Sequence, residues 1–152
     1  MARHTVSRRL PYTPQQLFAL VGDVERYPEF VPWVTHMRTW NAQVLPDQVT
    51  SVDAEAAVGF SFLRERFATR VRRDPVKGLI EVGLLSGPFR KLENRWRFTA
   101  EPDGGTRIDF LIDFEFRVRL LDALLRANFD RAVNRLIECF EARARELYGH
   151  GS

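Results

Sequence analysis

The sequence predicts an α+β fold: a strongly curved antiparallel sheet of about seven strands wrapped around a long C-terminal helix, with two short helices after strand 1. Three observations carry this. Apolar residues recur at Leu121, Leu124, Leu125, Ala132, Val133, Leu136, Ile137, Phe140, Ala144 and Leu147, spaced by three and four, which is one stripe of a helix over 120–148. Segments between Val34 and Val118 alternate in polarity and are punctuated by turn residues. The clearest places Ile108, Phe110, Ile112, Phe114, Phe116 and Val118 on one face, and Arg107, Asp109, Asp113, Glu115, Arg117 and Arg119 on the other. At about 1.5 Å per residue the helix would be a rod of roughly 42 Å, and such a rod needs a large apolar surface to lie on.

The elements follow in order. Residues 3–10 alternate weakly and read as a first strand. Thr13 is a good N-cap, Pro14 suits the first helical position and Gln16 can complete a capping box, so a short helix starts here and stops at Gly22. Pro28 and Pro32 forbid a long helix in the next stretch. Tyr27, Phe30, Val31 and Trp33 prevent it from being a plain exposed loop, so it reads as a short irregular helix with its aromatics turned inward.

Strands are expected at 35–45, 48–58, 60–73, 78–85, 90–100 and 106–118. Pro46-Asp47, Gly59, Asp74-Pro75, Ser86-Gly87-Pro88 and Asp103-Gly104-Gly105 separate them. Short connections favour a meander. One register across the last turn sets Trp96 opposite Phe110 and Arg97 opposite Asp109, giving one wet face and one dry, aromatic face. Gly149 should close the last helix at positive φ. A curved sheet and a straight rod do not meet everywhere, so an elongated apolar cavity can open between them.

Composition sets bounds. The 152 residues suit one domain, with 45% hydrophobic and 28% charged residues as in a soluble globular protein. Aromatic content leans on twelve Phe, and the net charge of +3 is carried mostly by Arg. That charge permits attraction to anionic lipid or RNA without establishing either. The single Cys139 excludes an internal disulfide and reads as a packed residue. No apolar run has signal-peptide or membrane-span length, so the expected location is cytoplasmic, and a membrane, such as the cytoplasmic face of an inner membrane, would be met only peripherally, from outside the bilayer core.

Catalytic constellations are not evident. His4, His36 and His150 stand apart, no GxSxG surrounds a serine, and no pair has metal-ligand spacing. Gly104-Gly105 reads as a hairpin turn, and the strand carboxylates alternate outward among arginines. No catalytic residue, metal or catalytic cofactor is expected.

Four local sequences carry a resemblance. Tyr27-Pro28-Glu29-Phe30-Val31-Pro32-Trp33 looks like a "YPxFhPW" segment. Ser86-Gly87-Pro88-Phe89-Arg90-Lys91-Leu92 with Trp96-Arg97-Phe98 looks like "GPF+xL…W+F". Asp113-Phe114-Glu115-Phe116 resembles a "DFEF" strand, and Phe140-Glu141-Ala142-Arg143-Ala144 with Leu147-Tyr148-Gly149 resembles "FxxRA…hYG". In this order they resemble the coenzyme Q-binding START-domain family of the START-like, helix-grip superfamily, whose bacterial branch includes the RatA ribosome-association toxins. Val34 departs from the cysteine that many relatives carry after Pro-Trp.

The resemblance implies a non-catalytic carrier or chaperone for ubiquinone or a similar polyprenyl quinone. It would serve quinone biosynthesis and respiratory complexes. Trp33, Phe60, Phe62, Trp96, Phe98, Phe110, Phe114, Leu125, Phe129, Val133 and Leu136 are the expected lining. Tyr27, Pro28, Phe30, Pro32, Gly87, Pro88 and Phe89 are expected at the mouth, with Phe89 and Trp33 touching a bilayer. Each buried CH₂ of a prenyl tail is worth roughly 0.8 kcal/mol, so the slot must be long and dry. One alternative is a ribosome-binding, RatA-like toxin whose arginines contact rRNA phosphates. Another is a polyketide cyclase-like enzyme, for which Asn94 and Asn128 are the polar candidates.

Overall fold

The computed structural model describes residues 2–60 and 63–149, apart from the side chains of Ala2, Phe60, Leu63 and Leu125. Phe62, His150 and the side chains of Phe60 and Leu125 therefore lie outside what it describes.

Strand β1 (Ala2–Leu10) is followed by α1 (Pro14–Gly22) and a 3-10 helix at Val24–Glu29. Then come β2 (Val34–Val44), β3 (Thr50–Phe60), β4 (Leu63–Asp74), β5 (Leu79–Ser86), β6 (Phe89–Ala100) and β7 (Thr106–Phe116). Two helices end the chain, α2 (Arg119–Ala127) and α3 (Phe129–Tyr148). The seven strands form one sheet in the order β1-β7-β6-β5-β4-β3-β2, with antiparallel neighbours throughout. A meander from β2 to β7 is thus closed by β1 on the far edge.

The local signals act as expected at several points. Thr13 Oγ1 accepts from the Gln16 amide at 3.1 Å, and Gln16 Oε1 accepts from the Thr13 amide at 3.0 Å, so the capping box is complete. Across the β6–β7 turn, Trp96 faces Phe110 and Arg97 faces Asp109. Gly149, at φ 80°, ends α3 and donates to Arg145 O. Strand limits differ from expectation by one to three residues. Strand β3 is displaced by two residues, because Pro46–Gln48 forms a 3-10 turn with Asp47 and Gln48 at positive φ.

Three features correct the expected picture. The C-terminal rod is broken: Asn128 leaves the helical region at φ −118°, ψ 11°, separating α2 from α3. Its side-chain amide donates to Leu124 O at 3.1 Å, the carbonyl its own backbone amide would use in a continuous helix. The stripe consequently does not bury throughout, and Leu124 and Leu147 are exposed.

Second, Val118 does not join the dry face. Strand β7 ends at Phe116, where the Arg117 amide turns to Pro88 O at 2.8 Å, and Val118 is 53% exposed.

Third, the outer face is not uniformly wet. Asp53 and Asp113 are buried there, under Arg70 and Lys91 respectively. The guanidinium and ammonium stems cover the carboxylates they neutralise.

The paired carboxylates of Asp53 and Asp122 make stability depend on pH. The Arg70 hydrogen bonds, and next that from Asn41, hold the Asp53 carboxyl below its ordinary value. For Asp122, burial alone would raise the value. The Phe116 amide and the Arg126 guanidinium nevertheless hold it below. In both cases the folded state binds the proton less tightly than the unfolded chain. Their contribution is therefore complete above the ordinary carboxylate pKa of about 3.9 and is lost as pH falls through the lower folded values. The thermal midpoint is expected to decline as pH drops from about 5 to about 2, and Asp53→Asn should flatten that decline. A midpoint that stays level over this range contradicts the assignment.

Candidate functional site

The interior divides into two apolar clusters. One gathers Trp96, Phe98, Phe110, Val133, Ile137, Phe140 and Ala144 with the buried side of α1. The other holds Phe89, Leu92, Phe114 and Phe116 near the start of α2. Ile112 and Phe129 pack against both.

The aromatic packing within each cluster is close. Trp96 meets Phe110 at 4.8 Å and Phe140 at 4.9 Å, edge to face. Phe114 lies 4.5 Å from Phe129, and Phe89 stacks on Phe116 at 4.5 Å. These centroid distances are those of well-packed aromatic pairs.

The expected lining residues are thus brought together, but unequally. Trp96, Phe98, Phe110, Phe114 and Val133 are buried within the clusters, whereas Phe129, Leu136 and Trp33 are half-buried. Trp33 has the Arg135 guanidinium 6.0 Å from its ring. Around the clusters a set of apolar side chains stays half-buried: Met37, Val82 and Leu136 against the first, Phe67, Leu84 and Leu121 against the second, and Ile112 and Phe129 against both. On the strands these pair through Val82 opposite Asn94 and Asn94 opposite Ile112, and through Met37 opposite Ala56 and Ala56 opposite Phe67. They are apolar positions that the two clusters leave incompletely covered. The expected lining did not include Met37, Phe67, Val82, Leu84, Ile112 or Leu121. Ile112 shares the parity of Phe110 and Phe114, so that signal was present; Met37 and Phe67 lie on strands whose alternation is weak.

The expected mouth residues form a clamped corner. Tyr27 donates its hydroxyl to Val21 O and sets its ring 5.3 Å from Phe140. Burial, and then the Asp23 charge, push the Tyr27 phenol well above its ordinary value, so it stays a donor. Phe30 lies between Phe140, at 5.1 Å, and the Arg143 guanidinium, at 5.3 Å. Arg143 also donates to Glu29 Oε1 at 2.7 Å and to Glu146 Oε1 at 2.9 Å. Pro28 is half-buried and Pro32 exposed. Across the molecule Gly87 and Pro88 are half-buried and Phe89 is buried. Gly87 has φ 143°, and a Cβ there would stand 2.6 Å from Phe67 Cβ, so only glycine lets this turn lie on β4.

A separate hollow of about 550 Å³ lies over the outer face of the sheet. It exists because Gly83 has no side chain between Arg70 and Glu93, its cross-strand neighbours. Its rim carries Arg70, Arg72 and Arg95 against Glu81 and Glu93, several of them ion-paired, so it does not suit an apolar guest.

Polar candidates have structural roles. Asn94 donates to Leu111 O at 2.8 Å and accepts from Trp96 Nε1 at 2.9 Å, fixing the indole. Asn128 makes the helix break described above. His4 contacts Asp130 at 2.8 Å and sits edge-on to Phe129. Burial, countered partly by Arg135, pushes the Cys139 thiol above its usual value, as for a packed cysteine. Among the described residues no group of three or more His, Cys, Asp or Glu is placed to hold a metal ion.

The family model for polyketide cyclase / dehydrase and lipid transport matches residues 10–141. The chain belongs to this family. Ribosome association toxin RatA of Pseudomonas aeruginosa is 37% identical over 143 residues, which are 94% of this chain and 95% of the toxin. Coenzyme Q-binding protein COQ10 homolog B, mitochondrial, of Xenopus laevis is 31% identical over 150 residues, 96% of this chain and 59% of that protein. An 18 kDa protein of Caulobacter crescentus with a known solution structure is 62% identical, with a TM-score of 0.83 over 98% of this chain and 99% of its own. No helix among the described residues is long and apolar enough to cross a membrane.

Proposed function

We propose that the chain is a non-catalytic carrier for ubiquinone or a similar polyprenyl quinone, supporting quinone biosynthesis and respiratory electron transport. The observation that carries this reading is the half-buried apolar set around the two clusters, with Ile112 and Phe129 joining them. Apolar groups on the concave side of a sheet normally bury completely against the covering helix. Here they stay partly open under a helix that breaks at Asn128. A guest with a long apolar tail would complete their burial, at roughly 0.8 kcal/mol per CH₂. The likeness to a coenzyme Q-binding protein supports the same class of ligand.

No turnover is required, only a difference in affinity between bilayer and protein. Organic extraction of the purified protein followed by mass spectrometry is expected to release a quinone. Titration with a short-chain quinone should saturate with quenching of Trp96 or Trp33 fluorescence. Absence of saturable binding, with nothing extracted, defeats the reading.

A second reading is favoured by the 37% identity to a ribosome association toxin over nearly the whole chain. In it, exposed arginines contact rRNA phosphates. Co-sedimentation with ribosomes at low and high salt discriminates, since binding through several phosphates weakens steeply with salt.

A further inference from the structure

We propose that the end of the molecule formed by the β5–β6 turn and the β7–α2 turn docks on a bilayer carrying anionic phospholipid, with the outward flank of α2 as its apolar contact. The Arg117 amide donates to Pro88 O, and its guanidinium donates to Phe89 O at 3.1 Å, so the two turns are stitched together. Gly87 lies against Phe67, which sets the outer end of β4 beside them.

At this end Leu85, Val118, Leu120 and Leu124 are 42%, 53%, 69% and 39% exposed. Leu120 and Leu124 stand one helical turn apart and so face the same way. Leu121, on another flank of α2, packs toward Phe89, Phe114 and Phe116. The helix is therefore apolar on both its inner and its outer side. Scattered exposed leucines need no explanation, but three exposed aliphatic groups in one short stretch form a patch.

Charge selects the occupant. Arg64, Arg90, Arg117 and Arg119 are exposed at this end and have no carboxylate within ion-pair distance among the described residues. Arginines elsewhere are commonly paired, as in Arg8–Glu141, Arg26–Asp23, Arg70–Asp53, Arg72–Glu81 and Arg143–Glu29. Asp122, the acid of α2, is already occupied by the Phe116 amide and Arg126. Glu65 and Glu115, the acids in the adjoining strand ends, are half-buried, which leaves the exposed balance positive.

A bilayer surface satisfies both features: leucines enter below the headgroups while guanidiniums meet the phosphates. RNA would satisfy only the second, since its bases recruit flat rings and not aliphatic groups. Phe89 and Trp33, the expected bilayer contacts, do not form this surface: Phe89 is 7% exposed and Trp33 lies under Arg135.

This inference deepens the carrier reading and rests on it for the purpose of docking, but its test is separate. The full chain is sedimented with vesicles of phosphatidylcholine alone and with vesicles of phosphatidylcholine and phosphatidylglycerol, each at low and high salt. Binding is expected on the anionic vesicles, at least about tenfold tighter than on neutral ones, and weaker at high salt. The double variant Leu120→Ser, Leu124→Ser should lose about tenfold or more of that binding. Its circular dichroism and its titration with a short-chain quinone should stay unchanged. Arg90→Gln with Arg119→Gln should remove mainly the preference for anionic lipid. Equal binding by wild type and the leucine variant overturns the proposal, as does no binding to either vesicle. Ribosome co-sedimentation that depends on the arginines, with vesicles ignored, overturns it in favour of RNA. A protein that binds vesicles but no quinone leaves the docking surface standing and removes the carrier reading instead.

Discussion

Phe140→Ala is expected to lower unfolding stability by about 3–5 kcal/mol, the range for deleting a large buried aromatic group. Phe140 is 3% exposed and joins three parts of the molecule. Its ring meets Trp96 on the sheet and both Tyr27 and Phe30 in the segment between α1 and β2. The surroundings have little freedom to collapse into the space left behind. Tyr27 is held by Val21 O, the Trp96 indole by Asn94, and Phe30 is capped by Arg143. Constrained neighbours raise the cost of a cavity towards the top of its range. Urea unfolding measures the loss, and Phe140→Leu should recover most of it. A loss under about 1 kcal/mol would mean that the corner relaxes freely and is not the anchor of α3.

Ile112→Trp should have the largest effect on function. Ile112 lies on β7 opposite Asn94 and His4, packs against both apolar clusters, and is half-buried. An indole at this position would extend into the space proposed for the quinone tail. If that space receives the quinone, affinity should fall about tenfold or more, because a methylene-sized change is already worth several-fold. Stability should change by less than about 1 kcal/mol, since the new ring occupies space a ligand would otherwise fill. A tightly packed interior predicts the reverse. Overpacking would then cost about 1–3 kcal/mol and quinone titration would be unaffected. The two measurements together separate a cleft from a closed core.

Much of this architecture was legible in residue patterns. The parity of Leu92, Trp96 and Phe98 against Ile108, Phe110 and Phe114, with the turn at Asp103-Gly104, suggested one register for β6–β7, and it is the one found. Thr13, Pro14 and Gln16 marked the start of α1 through a capping box that needs only four residues to operate. The Gly149 helix stop was equally local. The proposed site was less legible. The expected lining named sheet aromatics, and the structure packs the described ones among them together, with Phe129 bridging. The partly open positions fell to smaller or irregularly placed groups such as Met37, Val82 and Leu84. Periodicity reports which face a side chain takes, not whether anything covers it.

What the sequence determined by itself was the element order, the shared apolar face of the last hairpin, the caps and the resemblance to the START-like superfamily. Each depends on residues near one another in the chain or on a strict period of two. Tertiary structure alone decided that the terminal rod breaks at Asn128, that Val118 leaves the sheet, and that Asp53 and Asp113 lie buried beneath paired cations. It also decided that the outer side of α2 stays uncovered. Apart from the break at Asn128, whose side-chain amide takes a carbonyl four residues back, these outcomes depend on what approaches from a distant part of the chain. The Pro88 carbonyl captures the Arg117 amide, and lysine and arginine stems fold over carboxylates on neighbouring strands. Such competitions are settled by long-range packing, which no local pattern encodes.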